Sequence, residues 1–160
     1  MNNNKKLRIP EKGHKNLRKG RFSYPGNYYF VTTIVQGKEK IFQKEECANI
    51  VIDAIRWMEK EGRVENIVAI VMPEHLHWVF VLKKGILDSI MKTLKGFTAR
   101  KINQILGRNG KLWQEQYYEH LIRKNENLLE IAKYCLNNSV RRGIVEEFHN
   151  YPYWICKYDV

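Results

Sequence analysis

Long apolar runs are missing from this chain of 160 residues. The two longest, at 67–72 and 78–82, fall far short of the ~20 residues that a membrane helix needs. No apolar stretch follows the opening Met1-Asn2-Asn3-Asn4-Lys5-Lys6, so the start does not read as a secretory signal. Cysteine is scarce. Cys47, Cys135 and Cys156 are odd in number and nowhere spaced C-x-x-C, which argues against a disulfide framework and a zinc knuckle. The zinc-protease pattern H-E-x-x-H and the deaminase pattern ending P-C-x-x-C are absent, and Gly107-Arg108-Asn109-Gly110-Lys111 lacks the spacing of a P-loop. The chain reads as one cytoplasmic domain with no membrane partner, long enough to bury a core without staples.

Acidic residues are also in short supply, 17 against 28 Lys and Arg, for a formal charge of +11. The excess is uneven. Residues 1–21 carry eight basic side chains against Glu11 alone, a net +7. A basic segment with almost no apolar content reads as a flexible arm that condenses on a polyanion, nucleic acid above all. Residues 22–160 then form the folded domain.

Within that domain hydrophobic periodicity marks the elements. Residues 28–35 are aromatic and β-branched and read as a strand. Cys47, Ile50, Val51, Ala54, Ile55 and Met58 follow a helical period that Gly62 ends. Residues 66–71 and 75–82 read as strands joined in a hairpin by the turn at Met72-Pro73-Glu74. Leu87 to Leu106 predicts a second helix, with Gly96 as a weak point at its middle and Gly107 at its end. The mixed segment 112–123 is expected to be a strand. Asn125 is expected to open a third helix that Gly143 closes, and the aromatic tail from Phe148 reads as irregular. Hairpin-joined strands and amphipathic helices in the order β-α-β-β-α-β predict an α+β, ferredoxin-like antiparallel sheet with an added C-terminal helix.

Two constellations carry chemistry. In a strand, residues two apart share a face, so His75 and His77 stand side by side while Leu76 and Trp78 point the other way. Two imidazoles so placed can chelate one ion, leaving positions for water, a carboxamide or carboxylate, and a substrate oxygen. Two polar residues on a solvated strand face would give the same pattern. In the third helix, Leu128, Ile131, Ala132, Cys135 and Leu136 form the apolar stripe. Tyr134 lies roughly 130° from its middle at about 100° per residue. Packing does not explain that tyrosine, although an exposed rim residue would look alike.

The pieces Arg21-Phe22-Ser23-Tyr24-Pro25-Gly26-Asn27-Tyr28-Tyr29-Phe30-Val31-Thr32-Thr33, Met72-Pro73-Glu74-His75-Leu76-His77, Leu112-Trp113-Gln114 and Tyr134-Cys135-Leu136-Asn137-Asn138 resemble, in order and spacing, the single-tyrosine HUH transposases (histidine–hydrophobic–histidine). The closing Tyr151-Pro152-Tyr153-Trp154 leans towards the REP-associated tyrosine branch. The resemblance runs from about Arg21 to the end. It implies cleavage and rejoining of single-stranded DNA beside hairpins through a covalent 5′-phosphotyrosine, with Tyr134 as nucleophile and His75, His77 and Asn138 as metal ligands. Two positions depart from the family pattern. Glu74 replaces the Asn common before the first histidine and could add a carboxylate near the metal. Ser139 replaces a common Pro, so the third helix is expected to run on unbroken.

Imidazole plus oxygen ligands without thiolate suit Mg²⁺ or Mn²⁺. Arg21, Lys92, Lys95 and Arg123 are candidate DNA-binding cations. Tyr28, Trp78, Trp113, Tyr117 and Tyr118 are candidate stacking platforms, with a core role favoured for Trp78. Tyr117 and Tyr118 are rival nucleophiles that lack the Asn pair. A non-catalytic ferredoxin-like nucleic-acid-binding module is the alternative function. Whether the protein is a monomer or a homodimer, and whether Tyr134 serves its own histidines or a partner's, stays open.

Overall fold

A run of aromatic and β-branched residues, buried on both faces, makes Tyr28–Ile34 the first strand, β1, in a computed structural model that describes residues 23–160. Arg21 and the rest of the basic arm lie outside the described residues. Helix α1 spans Glu45–Lys60 and ends where Gly62 takes φ 71°. Strands β2 (Val64–Met72) and β3 (His75–Leu82) form the expected hairpin, with Met72 paired to His75 across the turn. Helix α2 covers Leu87–Leu106 without a break at Gly96, whose missing side chain faces open space, and Gly107 at φ 62° stops it. Strand β4 is Tyr118–Ile122.

These strands lie antiparallel in the order β4-β1-β3-β2, with α1 and α2 against one face, which is the ferredoxin-like arrangement that the element order predicts. That face buries Leu76, Trp78 and Phe80 of β3 against Val51, Ile55 and Met58 of α1 and Ile90, Met91 and Leu94 of α2. The opposite face carries Phe30, Val79 and Val81 and is covered by helix α3 (Leu128–Leu136) through Ile131, Ala132, Cys135 and Leu136. Full burial of such a side chain contributes roughly 1.5–3 kcal/mol.

Four local expectations are corrected. Within 112–123 the strand is confined to 118–122, and Trp113 adds only an isolated antiparallel bridge to Val35. Leu112 and Trp113 instead drop into the α1/α2 core, and Lys95 donates to the carbonyls of Gln114 (2.7 Å) and Glu115 (2.9 Å). The third helix starts at Leu128, because the Asn127 side chain accepts from the backbone N–H groups of Leu129 and Glu130. It does not run on unbroken. A turn at Asn137 separates α3 from a short α4 (Asn138–Arg141), where the Asn137 amide and the Ser139 hydroxyl donate to the carbonyls of Lys133 and Leu136. The tail is not wholly irregular either. Trp154–Cys156 forms β5, paired to the free edge of β2.

Candidate active site

β3 positions the histidine pair. His75 and His77 share the face that α3 covers, and their Nε2 atoms converge to 2.9 Å. Each ring is held from behind. His77 Nδ1 meets the Thr32 hydroxyl at 2.7 Å, since Thr32 of β1 is its direct cross-strand partner. His75 Nδ1 meets the Glu74 carboxylate at 2.9 Å. Burial pushes the His77 pKa well below the usual histidine value, with repulsion from His75 and Arg141 adding, so its ring is neutral at pH 7.

Glu74 is a carboxylate that could stand near a metal. It turns instead behind His75 and into the guanidinium of Arg142, with Arg142 Nη1 at 2.5 Å and Nη2 at 3.3 Å. The hydrogen bond with His75 holds its pKa down to about 2, Arg142 helping and burial opposing. An ionised carboxylate only accepts, so His75 carries a proton on Nδ1 and donates it to Glu74. His77 Nδ1 shares its hydrogen bond with the Thr32 hydroxyl, and the two Nε2 atoms meet at 2.9 Å. That separation is the spacing of two adjacent donors in an octahedral sphere with bonds of about 2.0–2.1 Å. Among the described residues no group of three His, Cys, Asp or Glu side chains could hold a metal ion.

Tyr134 stands half-buried, off the apolar stripe of α3 as the helical period predicts. The Arg141 guanidinium lies 4.0 Å from the centre of its ring and donates to its carbonyl at 2.9 Å. The same guanidinium acts electrostatically on His77. Asn138 precedes Arg142 by one helical turn and so shares the side from which Arg142 reaches Glu74. The segment 134–142 is thus tied through Arg142 to Glu74, the carboxylate that holds His75.

The other candidates divide. Trp78 and Trp113 are core residues whose indole N–H groups bond Asn66 (3.0 Å) and Thr98 (2.9 Å), so neither is free to stack on a base. Tyr117 is buried on the α2 side with its hydroxyl on Asp88. Tyr118 is different, because it pairs with Thr32, which pairs with His77. The three therefore form a row across the histidine-bearing face. Lys92 and Lys95 belong to α2 on the far face, and Arg123 is exposed just past β4. The structure does not bring these cations to the histidines. Sequence reasoning passed over Thr32, Arg141 and Arg142. Thr32 could have been found by its alternation with Phe30, and Arg141 by its place on the same side of the helix as Tyr134, but nothing local points to Arg142.

The IS200-like transposase family profile matches residues 23–138. A Haemophilus influenzae protein carrying a provisional name as a REP-associated tyrosine transposase is 24% identical over 139 residues, covering 80% of this chain and 78% of the relative. The REP-associated tyrosine transposase of Escherichia coli K12 is 25% identical over 91 residues, covering 57% and 53%. Among solved structures, a REP-associated tyrosine transposase bound to a REP hairpin superposes with a TM-score of 0.67 at 21% identity, covering 84% of this chain and 79% of that one. A Deinococcus radiodurans protein described provisionally as a transposase gives 0.52 at 19% identity, covering 79% and 96%. These two likenesses concern the fold. The profile spans most of the domain, histidine pair and Tyr134 included, and this protein belongs to the IS200-like transposases, a family of DNA-cleaving enzymes.

Proposed function

We propose that this protein is a transposase of the REP-associated tyrosine type, a divalent-metal-dependent endonuclease that cuts and rejoins single-stranded DNA beside a hairpin. The observation that carries this reading is the pair of Nε2 atoms 2.9 Å apart, each ring held from behind, next to the segment that bears Tyr134. The names of the relatives, and the hairpin bound by one fold neighbour, support the branch and the substrate class.

His75, His77 and the carboxamide of Asn138 would hold the ion. When bound, Mg²⁺ or Mn²⁺ polarises the scissile phosphate and offsets charge on the leaving oxygen. The Tyr134 oxygen attacks phosphorus in line and its proton passes to solvent. The bond from phosphorus to the 3′ oxygen breaks and that oxygen takes a proton from solvent, leaving a 3′-hydroxyl and a phosphotyrosine on the 5′ end. One phosphodiester replaces another, so a free 3′-hydroxyl can reverse the step without ATP. Arg141 keeps the Tyr134 ring from rotating freely, and exposed cations such as Lys92 and Arg123 would follow backbone phosphates.

The test is incubation of the full chain with labelled single-stranded hairpin DNA and Mn²⁺, then a denaturing gel and peptide mapping of the adduct. Tyr134→Phe is expected to lose nicking and adduct while keeping hairpin binding, and Tyr118→Phe to keep all three. An adduct mapped to Tyr118 would overturn the choice of nucleophile. Cleavage at full rate in chelator, or in His75→Ala or His77→Ala, would overturn the metal role. A gel shift with no nicking by the native chain would leave a binding module.

A further inference from the structure

A carboxylate next to a ligand histidine can face the ion or stand behind the ring. In Glu74 the backbone decides for the second. Its carbonyl accepts from Val35 N–H at 2.8 Å, and the carbonyl of Pro73 before it accepts from Phe42 N–H at 3.0 Å, so both turn residues are pinned. The side chain is 11% exposed. Its oxygens are filled by the His75 Nδ1–H at 2.9 Å and by the fork of Arg142. Arg142 closes α4, the piece of chain that continues from Tyr134 through Asn138. Two parts of the molecule, 68 residues apart in sequence, meet in this one carboxylate.

We propose that Glu74 and Arg142 form a positioning relay, in which Glu74 fixes His75 as the Nδ1-protonated tautomer and Arg142 holds Glu74 in place from the tyrosine-bearing segment. The inference rests on the reading of His75 and His77 as metal ligands. Partners behind a ligand histidine set its ring orientation and basicity, and losing them typically costs about 10–100-fold in metal affinity. The relay makes one prediction that simple charge does not. Arg142 is a cation beside the site, so electrostatics alone says that its removal strengthens Mn²⁺ binding. The relay says that its removal weakens binding, because the released carboxylate no longer holds His75.

The experiment measures Mn²⁺ affinity of the full chain without DNA, by calorimetry or by loss of the free-ion spin resonance signal. The chains compared are native, Glu74→Gln, Arg142→Gln, the double variant and His77→Ala. Glu74→Gln is expected to bind about 10-fold or more weakly. Arg142→Gln is expected to weaken binding by a smaller factor, and the double variant to be no weaker than Glu74→Gln, since both act on one ring. Arg142→Lys, which keeps the charge and loses the fork, is the second variant should Arg142→Gln unfold, and it too should bind more weakly than the native chain. Imidazole ¹⁵N spectra should show His75 protonated at Nδ1 in the native chain and a tautomer mixture in Glu74→Gln. Unchanged or tighter Mn²⁺ binding in the Arg142 variants, or unchanged binding in Glu74→Gln, overturns the relay while the metal site stands. No Mn²⁺ binding by the native chain, or native affinity in His77→Ala, overturns both.

Discussion

Thr32 shows how much a single hydroxyl can govern. It is 4% exposed, and its oxygen is the partner printed by β-sheet register onto His77 Nδ1. Thr32→Val keeps the shape and leaves a buried imidazole nitrogen without a partner, which costs about 1–3 kcal/mol. Urea unfolding should register that loss, with Mn²⁺ affinity falling in parallel. Tyr151 is a second such case. Its buried hydroxyl donates to the Val71 carbonyl, and burial raises its pKa above the usual 10, with Tyr153 and Glu74 adding. A group raised on folding gives stability that is fully present below the unfolded pKa and is lost as pH rises through the folded one. Thermal melts should therefore show the native chain weakening above about pH 10. Tyr151→Phe should be less stable at pH 7 by about 1 kcal/mol and should decline less steeply in alkali. An unchanged alkaline slope would remove Tyr151 from the account.

Among the elements, α3 has the most to lose, because it is only nine residues long and carries Tyr134. A helix that short does not form by itself in water, so its cap and its buried stripe must hold it. Asn127→Ala removes the acceptor for two backbone N–H groups and should cost about 1 kcal/mol. Ile131→Ala, at a side chain 3% exposed against the sheet, should cost about 2–5 kcal/mol in urea unfolding. A loss under 0.5 kcal/mol at Ile131 would mean that α3 is not packed as described. The turn at Asn137 follows from side chains rather than from proline. Asn137 and Ser139 offer the carbonyls of Lys133 and Leu136 donors that compete with the helical ladder.

Charge acts on the whole molecule. The first 21 residues hold +7 of the net +11. Each phosphate neutralised on a single strand contributes about −0.7 to the slope of log affinity against log salt. Removing residues 1–21 should flatten that slope by up to about 5, with hairpin binding measured from 50 to 300 mM salt (a range of about one Debye regime around 0.1 M). An unaltered slope would show that the arm makes no phosphate contact. The remaining domain is expected to keep its fold, because the sheet and all four helices lie within the described residues.

Local periodicity was enough for the element order, the shared face of His75 and His77, the burial of Trp78 and the off-stripe position of Tyr134, since each depends only on the 2.0 or 3.6 repeat along one stretch of chain. Those repeats say nothing about register. That Thr32 lies across from His77, with Tyr118 beyond it, depends on how three strands slide against one another. The clasp of Arg142 on Glu74 joins positions 68 residues apart, and no spacing rule reaches that far. Segment 112–117 departs from the strand reading for the same reason, because its apolar residues serve a core built by α1 and α2 and only Trp113 bridges to Val35. The residues themselves determined which groups were available for chemistry and on which face each would stand. Only folding decided which of them meet, because contact between distant segments is fixed by packing and cross-strand hydrogen bonds that no local pattern encodes.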